Sequence, residues 1–162
     1  MIEKKIITTF YQTDKTSLNQ EENNLVDYAI QSLESAYAPY SGFLVGASLL
    51  LENGKIISGN NQENVAYPSG LCAERVAIYY AGAQFPNLKI KKIAISAISK
   101  KFNFTDIVSP CGSCRQAIAE YEIKQEDNIK ILLHHSNDSI IIVNSVSDLL
   151  PLMFKSKDLK NF

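Results

Sequence analysis

Nowhere in the 162-residue chain do about 18 apolar residues follow one another, so no segment is expected to span a membrane. The first residues also lack the apolar core of a secretory signal. Met1-Ile2-Glu3-Lys4-Lys5 runs into Thr8, Thr9, Gln12 and Asp14, and no such leader is expected. Charge of one sign is missing too: 16 Lys and Arg stand against 17 Asp and Glu, a net charge of −1. Without a basic stripe, a surface for duplex nucleic acid is not expected, because such binding rests on neutralised phosphates. Three cysteines cannot all pair within one chain, which disfavours a disulfide scaffold. A reduced, cytoplasmic setting is expected, where thiols are free for metal binding or catalysis. There is neither an internal repeat nor a linker. With 46% hydrophobic and 20% charged residues, the chain reads as one globular domain over 1–162, long enough for a proper core.

The hydrophobic pattern sets out the elements. A short strand is expected at Ile6–Tyr11, within an extra N-terminal segment 1–18. Leu25, Val26, Ala29, Ile30, Leu33 and Ala36 fall at helical spacing and predict a helix over 19–36. Strands at Val45–Leu51 and Lys55–Asn60 flank Asn53-Gly54, which predicts a two-residue type I′ hairpin. A helix is expected over Cys72–Gly82, ended by the glycine, and a buried strand over Ile90–Ile98. Lys100–Val108 reads as a surface insertion. Ser109-Pro110 then predicts a helix start, with Ser109 as N-cap and Pro110 first in the helix, running to about Tyr121. Strands at Lys130–Leu133 and Ile140–Val143 and a short helical tail near Val146–Met153 complete the chain. The expectation is a single three-layer α/β/α domain around a mixed five-stranded sheet.

Every cysteine lies at the start of an expected helix. Cys72 opens one; Cys111 and Cys114, three apart and on one face, open the other. Free N–H groups and the positive end of the helix dipole favour thiolates there, and thiolates are what zinc takes. Three protein ligands leave one position for water, the mark of a catalytic zinc rather than a closed structural one. His134 and His135 have no ligand-like spacing as a fourth. Glu74 follows Cys72 by two residues, about 200° away on a regular helix, so Cys72 must project from the helix end if both approach one metal. Alone, Glu74 would be a solvated first-turn acid. Cys72-Ala73-Glu74 with Pro110-Cys111-x-x-Cys114 matches the zinc deaminase signature in its three-cysteine form. In that chemistry zinc lowers the pKa of a water that attacks C4 of a pyrimidine, and the glutamate, not a ligand, shuttles protons to N3 and the departing amine. Three thiolates over-neutralise Zn²⁺. Arg75 and Arg115, beside the ligands, are therefore candidates to hydrogen-bond ligand sulfur and restore acidity.

The chain resembles the small, homotetrameric cytidine deaminases from about Tyr37 to Leu159. The segments that carry the resemblance are 40–47, 61–67, 72–75, 110–116 and 149–154. The resemblance implies that Phe43 stacks on the pyrimidine and that Asn61 and Glu63 hold the ribose 3′-hydroxyl. Ala73 would offer its backbone to the base, and the Pro110 carbonyl would receive ammonia. It also implies that Tyr67 and Phe154 reach a neighbouring subunit's site, so that a tetramer with shared sites, one zinc per subunit and a free nucleoside as substrate are expected. Taken alone, Phe154 reads as a packing residue. The interval between Cys72 and Cys111 is longer than the resemblance leads one to expect, with the excess in Lys100–Val108, and Gln62 stands where an aliphatic residue is commoner. Three rivals are weighed against cytidine and deoxycytidine hydrolysis in pyrimidine salvage. They are deamination of an aminonucleoside antibiotic or free base, editing of RNA or DNA, and a non-catalytic zinc module. Charge balance and Glu63 oppose the second; Glu74 opposes the third.

Overall fold

The computed structural model describes residues 1–155, so the last residues of the resemblance, 156–159, lie outside the described residues. Its elements are β1 (Tyr11–Asp14), α1 (Gln20–Ser32), β2 (Phe43–Leu51), β3 (Ile56–Asn60), α2 (Ala73–Gln84), β4 (Ile90–Ser99), α3 (Gly112–Gln125), β5 (Lys130–His134) and β6 (Ser139–Val143). The strands form one six-stranded sheet in the order β1-β6-β5-β4-β2-β3. Among the described strands only β4 and β5 pair in parallel; the other ladders are antiparallel.

Strand alternation builds the layers. Leu49, Leu51, Ile93, Ile95, Ile131 and Leu133 face one side and bury against Ala77, Ile78 and Ala81 of α2 and Ile118 and Ala119 of α3. The residues between them, Leu50, Ala94 and Leu132, face the other side and bury against Leu25, Val26 and Ala29 of α1. The result is the expected α/β/α sandwich. The N-terminus of α1 is capped by Asn19, whose side-chain oxygen accepts from the Glu22 amide at 2.9 Å.

Five local expectations are corrected. The sheet has six strands, because the N-terminal strand forms at Tyr11–Asp14 rather than Ile6–Tyr11 and pairs with β6. Asp14 ends it by capping a 3-10 turn, accepting from the Ser17 amide. The hairpin is not type I′: Gly54 has φ +82° but Asn53 is not in the left-handed region. The Gly54 amide donates to the Leu51 carbonyl and the Leu51 amide to the Lys55 carbonyl, a three-residue loop with its glycine last. Gly82 does not end α2. The helix runs to Gln84, and glycine is needed there because a Cβ would lie 1.9 Å from the Tyr121 hydroxyl of α3. Helix α3 is capped by Cys111, not Ser109, and continues past Tyr121 to Gln125, where Glu126 turns left-handed at φ 51°. The expected tail helix is a single 3-10 turn, Val146–Asp148.

Candidate active site

Strands β3 and β4 both pair antiparallel with β2 and so run the same way. Their carboxyl ends therefore lie at one edge of the sheet, and the chain returns from each into a helix, α2 after β3 and α3 after β4. The two helix N-termini converge there. Between β3 and α2 the backbone is zipped to its neighbours. Asn61 accepts from the Tyr37 amide, Glu63 donates to the Tyr37 carbonyl, and Gln62 and Leu71 exchange two hydrogen bonds.

Cys72 is the N-cap of α2, in extended conformation at φ −72° and ψ 153°. This meets the geometric demand: the thiol projects from the helix end while Glu74 sits inside the first turn. Cys111 caps α3 in the same way, φ −65° and ψ 166°, and Cys114 lies in the first turn behind it. Sulfur separations are 3.9 Å for Cys72–Cys111 and 3.5 Å for Cys111–Cys114, and all three sulfurs lie within 4.8 Å of one another. Thiolates about 2.3 Å from a tetrahedral zinc stand about 3.8 Å apart, so the cluster fits that ion. The histidines lie elsewhere: His134 Nδ1 meets Ser96 Oγ at 2.9 Å, and His135 Nε2 meets the Phe104 carbonyl at 3.0 Å.

The thiols are electrostatically unlike. The Cys114 thiol donates to Cys72, which with Arg75 pulls the Cys72 pKa down to about 5; the same contact and burial push Cys114 up. Arg75 Nη2 lies 3.9 Å from the Cys72 sulfur, whereas its buried Nε has no hydrogen-bond partner among the described residues. Arg115 turns away from sulfur. Its Nε donates to the Pro110 carbonyl at 2.8 Å and its Nη1 to the Leu149 carbonyl at 2.6 Å, tying the C-terminal segment to the start of α3. Those two carbonyls, rather than a sulfur, take up its guanidinium.

Glu74 is only 4% exposed. Burial, then the nearby Cys72 charge, pushes its carboxyl above the ordinary range, and its Oε2 has no hydrogen-bond partner among the described residues. A buried, unpaired carboxyl oxygen beside three thiols is costly unless something else engages it.

The cluster forms one end of a cavity of about 430 Å³, large enough for a small ligand. Phe43, Val45 and Ile95 supply apolar wall, Asn61, Glu63 and Arg75 polar wall, and Tyr67, 79% exposed, stands at the rim. Of the residues singled out in the sequence, Phe43, Asn61, Glu63, Tyr67, Cys72, Glu74, Arg75 and Cys111 come together here. Cys114 is joined to them through the sulfur cluster. Ala73 and Pro110 are buried behind the wall. Phe154 is 72% exposed and away from the cavity, its carbonyl held by Gln116 Nε2 at 2.8 Å.

Asn61 and Glu63 already serve the protein. Asn61 Oδ1 accepts from the Val45 amide at 2.8 Å and Nδ2 donates to the Phe43 carbonyl at 2.9 Å, extending the β2 edge. Glu63 accepts from the Ser41 hydroxyl and from the Tyr40 amide at 2.9 Å. The Ser41 hydroxyl, with those amides, holds its carboxyl below the ordinary range, so it is firmly anionic. Sequence reasoning missed Val45, Ile95, Val108 and Ser109 as cavity wall. Ile95 carried a signal, as an inward position of a strand ending beside the cysteines; Val108 and Ser109 carried none.

Comparison with known proteins follows the same line. Residues 19–126 match the family model of the cytidine and deoxycytidylate deaminase zinc-binding region. The chain is similar to a cytidine deaminase of Halalkalibacterium halodurans, 38% identical over 85% of this chain and 96% of that protein. It is also similar to a probable cytidine deaminase of Dictyostelium discoideum, 36% identical over 88% of this chain and 90% of the relative. Among solved structures, cytidine deaminase from Burkholderia pseudomallei superposes with a TM-score of 0.69 at 33% identity, covering 81% of this chain and 97% of that one.

Proposed function

The chain belongs to the cytidine and deoxycytidylate deaminase family, and from that premise we propose how its residues carry out the reaction. It is a zinc-dependent hydrolase that converts cytidine to uridine and ammonia. In our reading Cys72, Cys111 and Cys114 hold one zinc ion per chain, as the sulfur spacings and the thiolate-favouring helix ends support. When bound, zinc supplies a water of lowered pKa as the nucleophile.

Glu74 does the proton work. It would take a proton from the attacking water and give it to N3 of the pyrimidine, then take the remaining proton from the oxygen added at C4 and deliver it to the C4 amino group. The C4–N bond then breaks, ammonia leaves and the carbonyl forms. The observation that carries this is the buried Glu74 carboxyl with Oε2 unpartnered beside the thiols. A carboxyl raised toward neutrality can both accept and return a proton there. Phe43 faces the base. Anionic Glu63 would accept from the ribose hydroxyl with the lone pairs its backbone and Ser41 contacts leave free, and Asn61 would donate to it with the second Nδ2 hydrogen. The same charge repels a phosphate at that position, which favours a free nucleoside over a polynucleotide. Arg75 restores acidity to the thiolate-rich site.

We further read the protein as a cytoplasmic oligomer with shared sites. In that reading Tyr67, at the rim of its own cavity, and Phe154, exposed on the surface, would also reach a neighbouring copy, and their exposure supports it. No helix among the described residues is long and apolar enough to cross a membrane. The test is loss of ultraviolet absorbance as cytidine becomes uridine. Glu74→Gln should keep one zinc per chain while kcat falls by about 10² to 10⁴. Near-normal turnover in that variant would refute the assignment.

A further inference from the structure

Segment 100–108, longer than the family resemblance leads one to expect, does not stand off the surface. The Lys100 amide donates to the Gly42 carbonyl at 3.0 Å, and Lys101 Nζ to the Tyr40 carbonyl at 2.5 Å. The segment is thus fastened to the turn that leads into Phe43. The Lys101 charge also helps hold Glu63 anionic. Farther along, the Phe104 carbonyl meets His135 Nε2 at 3.0 Å, and the Phe104 ring stands edge-on to the imidazole with centroids 5.5 Å apart.

Two aromatic rings of the segment are thereby delivered to Phe43. Phe102 lies parallel to it, 7° between planes and 6.3 Å between centroids. Phe104 packs at 52° with centroids 5.6 Å apart. Both separations lie within the range in which aromatic rings attract beyond simple burial. Phe43 itself lines the cavity; Phe102 and Phe104 do not.

We propose that Phe102 and Phe104 are positioning residues that fix the ring of Phe43 and so set the affinity of this enzyme for its nucleoside. The proposal rests on the reading that Phe43 stacks on the pyrimidine. Phe43 is the first residue of β2, and the χ2 torsion of a phenylalanine is broad. A ring at a strand end turns unless something packs against it, and base stacking needs one ring plane. The backing rings meet that cost before the substrate arrives, which is preorganisation. Their effect falls on binding, because neither approaches Glu74 or the thiols closely enough to line the cavity they share.

The test is a double-mutant cycle on the zinc-loaded enzyme, reading kcat, KM for cytidine, zinc content and Tm. Phe102→Ala and Phe104→Ala should each raise KM about three- to tenfold with kcat within about twofold and zinc unchanged. Phe102→Tyr should restore KM. On a Phe43→Ala background, which itself raises KM, neither alanine variant should add a further effect. Unchanged KM in Phe102→Ala and Phe104→Ala, while Phe43→Ala raises it, overturns the proposal and leaves the Phe43 reading standing. Effects that simply multiply with that of Phe43→Ala overturn it too. If Phe43→Ala leaves KM unchanged, the Phe43 reading falls and takes the proposal with it. Phe102 is 53% exposed, so its variant keeps the test open should Phe104→Ala fail to fold.

Discussion

In the proposed site, Arg75 would balance the charge of three zinc-bound thiolates. It is the basic side chain that reaches a ligand sulfur, Nη2 to Cys72 at 3.9 Å, whereas Arg115 is spent on two backbone carbonyls. Arg75→Ala is therefore expected to cost about 10- to 100-fold in zinc affinity or turnover. Arg115→Ala should leave the sulfurs alone and loosen the 149–154 segment. Competition with a chromogenic chelator, run beside cytidine turnover, checks both. An Arg75 variant normal in both measurements would remove its assigned role. This division between the arginines was not legible in the sequence, where Arg75 simply follows Glu74 and Arg115 follows Cys114. That Glu74 and the cysteines would gather at one place was legible, because thiols at three-residue spacing and an acid two residues after a third thiol form a recognisable motif.

At the scale of elements, the site is made by two helix starts that the sheet brings to one edge. Their seating on the strands matters accordingly. Gly59 of β3 lies directly beneath α2, and a Cβ there would stand 2.7 Å from the Ala77 amide nitrogen and 2.8 Å from the Ala73 carbonyl oxygen. Those atoms are backbone and cannot swing aside. Gly59→Ala should push α2 outward, costing about 1–3 kcal/mol of stability and carrying Cys72 and Glu74 with it. Thermal denaturation with and without zinc is the check: stability should fall, and the increment from zinc should shrink. If Gly59→Ala merely lowers Tm while zinc affinity is unchanged, α2 does not transmit its seating to the ligands.

Across the whole molecule, the outer helix α1 is pinned to the sheet by a buried carboxylate. Glu22, 5% exposed, accepts from Lys92 Nζ at 2.9 Å on β4 and Lys130 Nζ at 2.7 Å on β5. Burial pushes its carboxyl up, but the Lys130 and Lys92 bonds outweigh this and hold it below the ordinary 4.5. Its contribution is thus present above the unfolded-state value and lost as pH falls through the lower folded value. Glu22→Gln should lower the urea midpoint near neutrality, and the gap from the unaltered protein should close in acid below about pH 4. A gap independent of pH would mean that the pairing contributes nothing to folding. The N-terminal strand β1 adds to the same assembly by covering the edge of β6.

Alternation of apolar residues along β2, β4 and β5 determined the layers, since a strand must send successive side chains to opposite faces. The spacing of Cys72, Glu74, Cys111 and Cys114 pointed to the zinc-binding deaminase family, because few arrangements of those groups serve another purpose. Tertiary structure decided the rest, and in each case through contacts between residues far apart in the chain. It placed β1 at Tyr11–Asp14 by pairing with a strand over a hundred residues later. It made Gly82 a close-packing position inside α2, where Tyr121 fills the space a side chain would need, rather than the end of the helix. It spent the amide of Asn61 and the carboxylate of Glu63 on neighbouring backbone, and it set Phe102 and Phe104 behind Phe43. Local spacing cannot encode such meetings; only the assembled sheet and its packed helices bring the partners within reach.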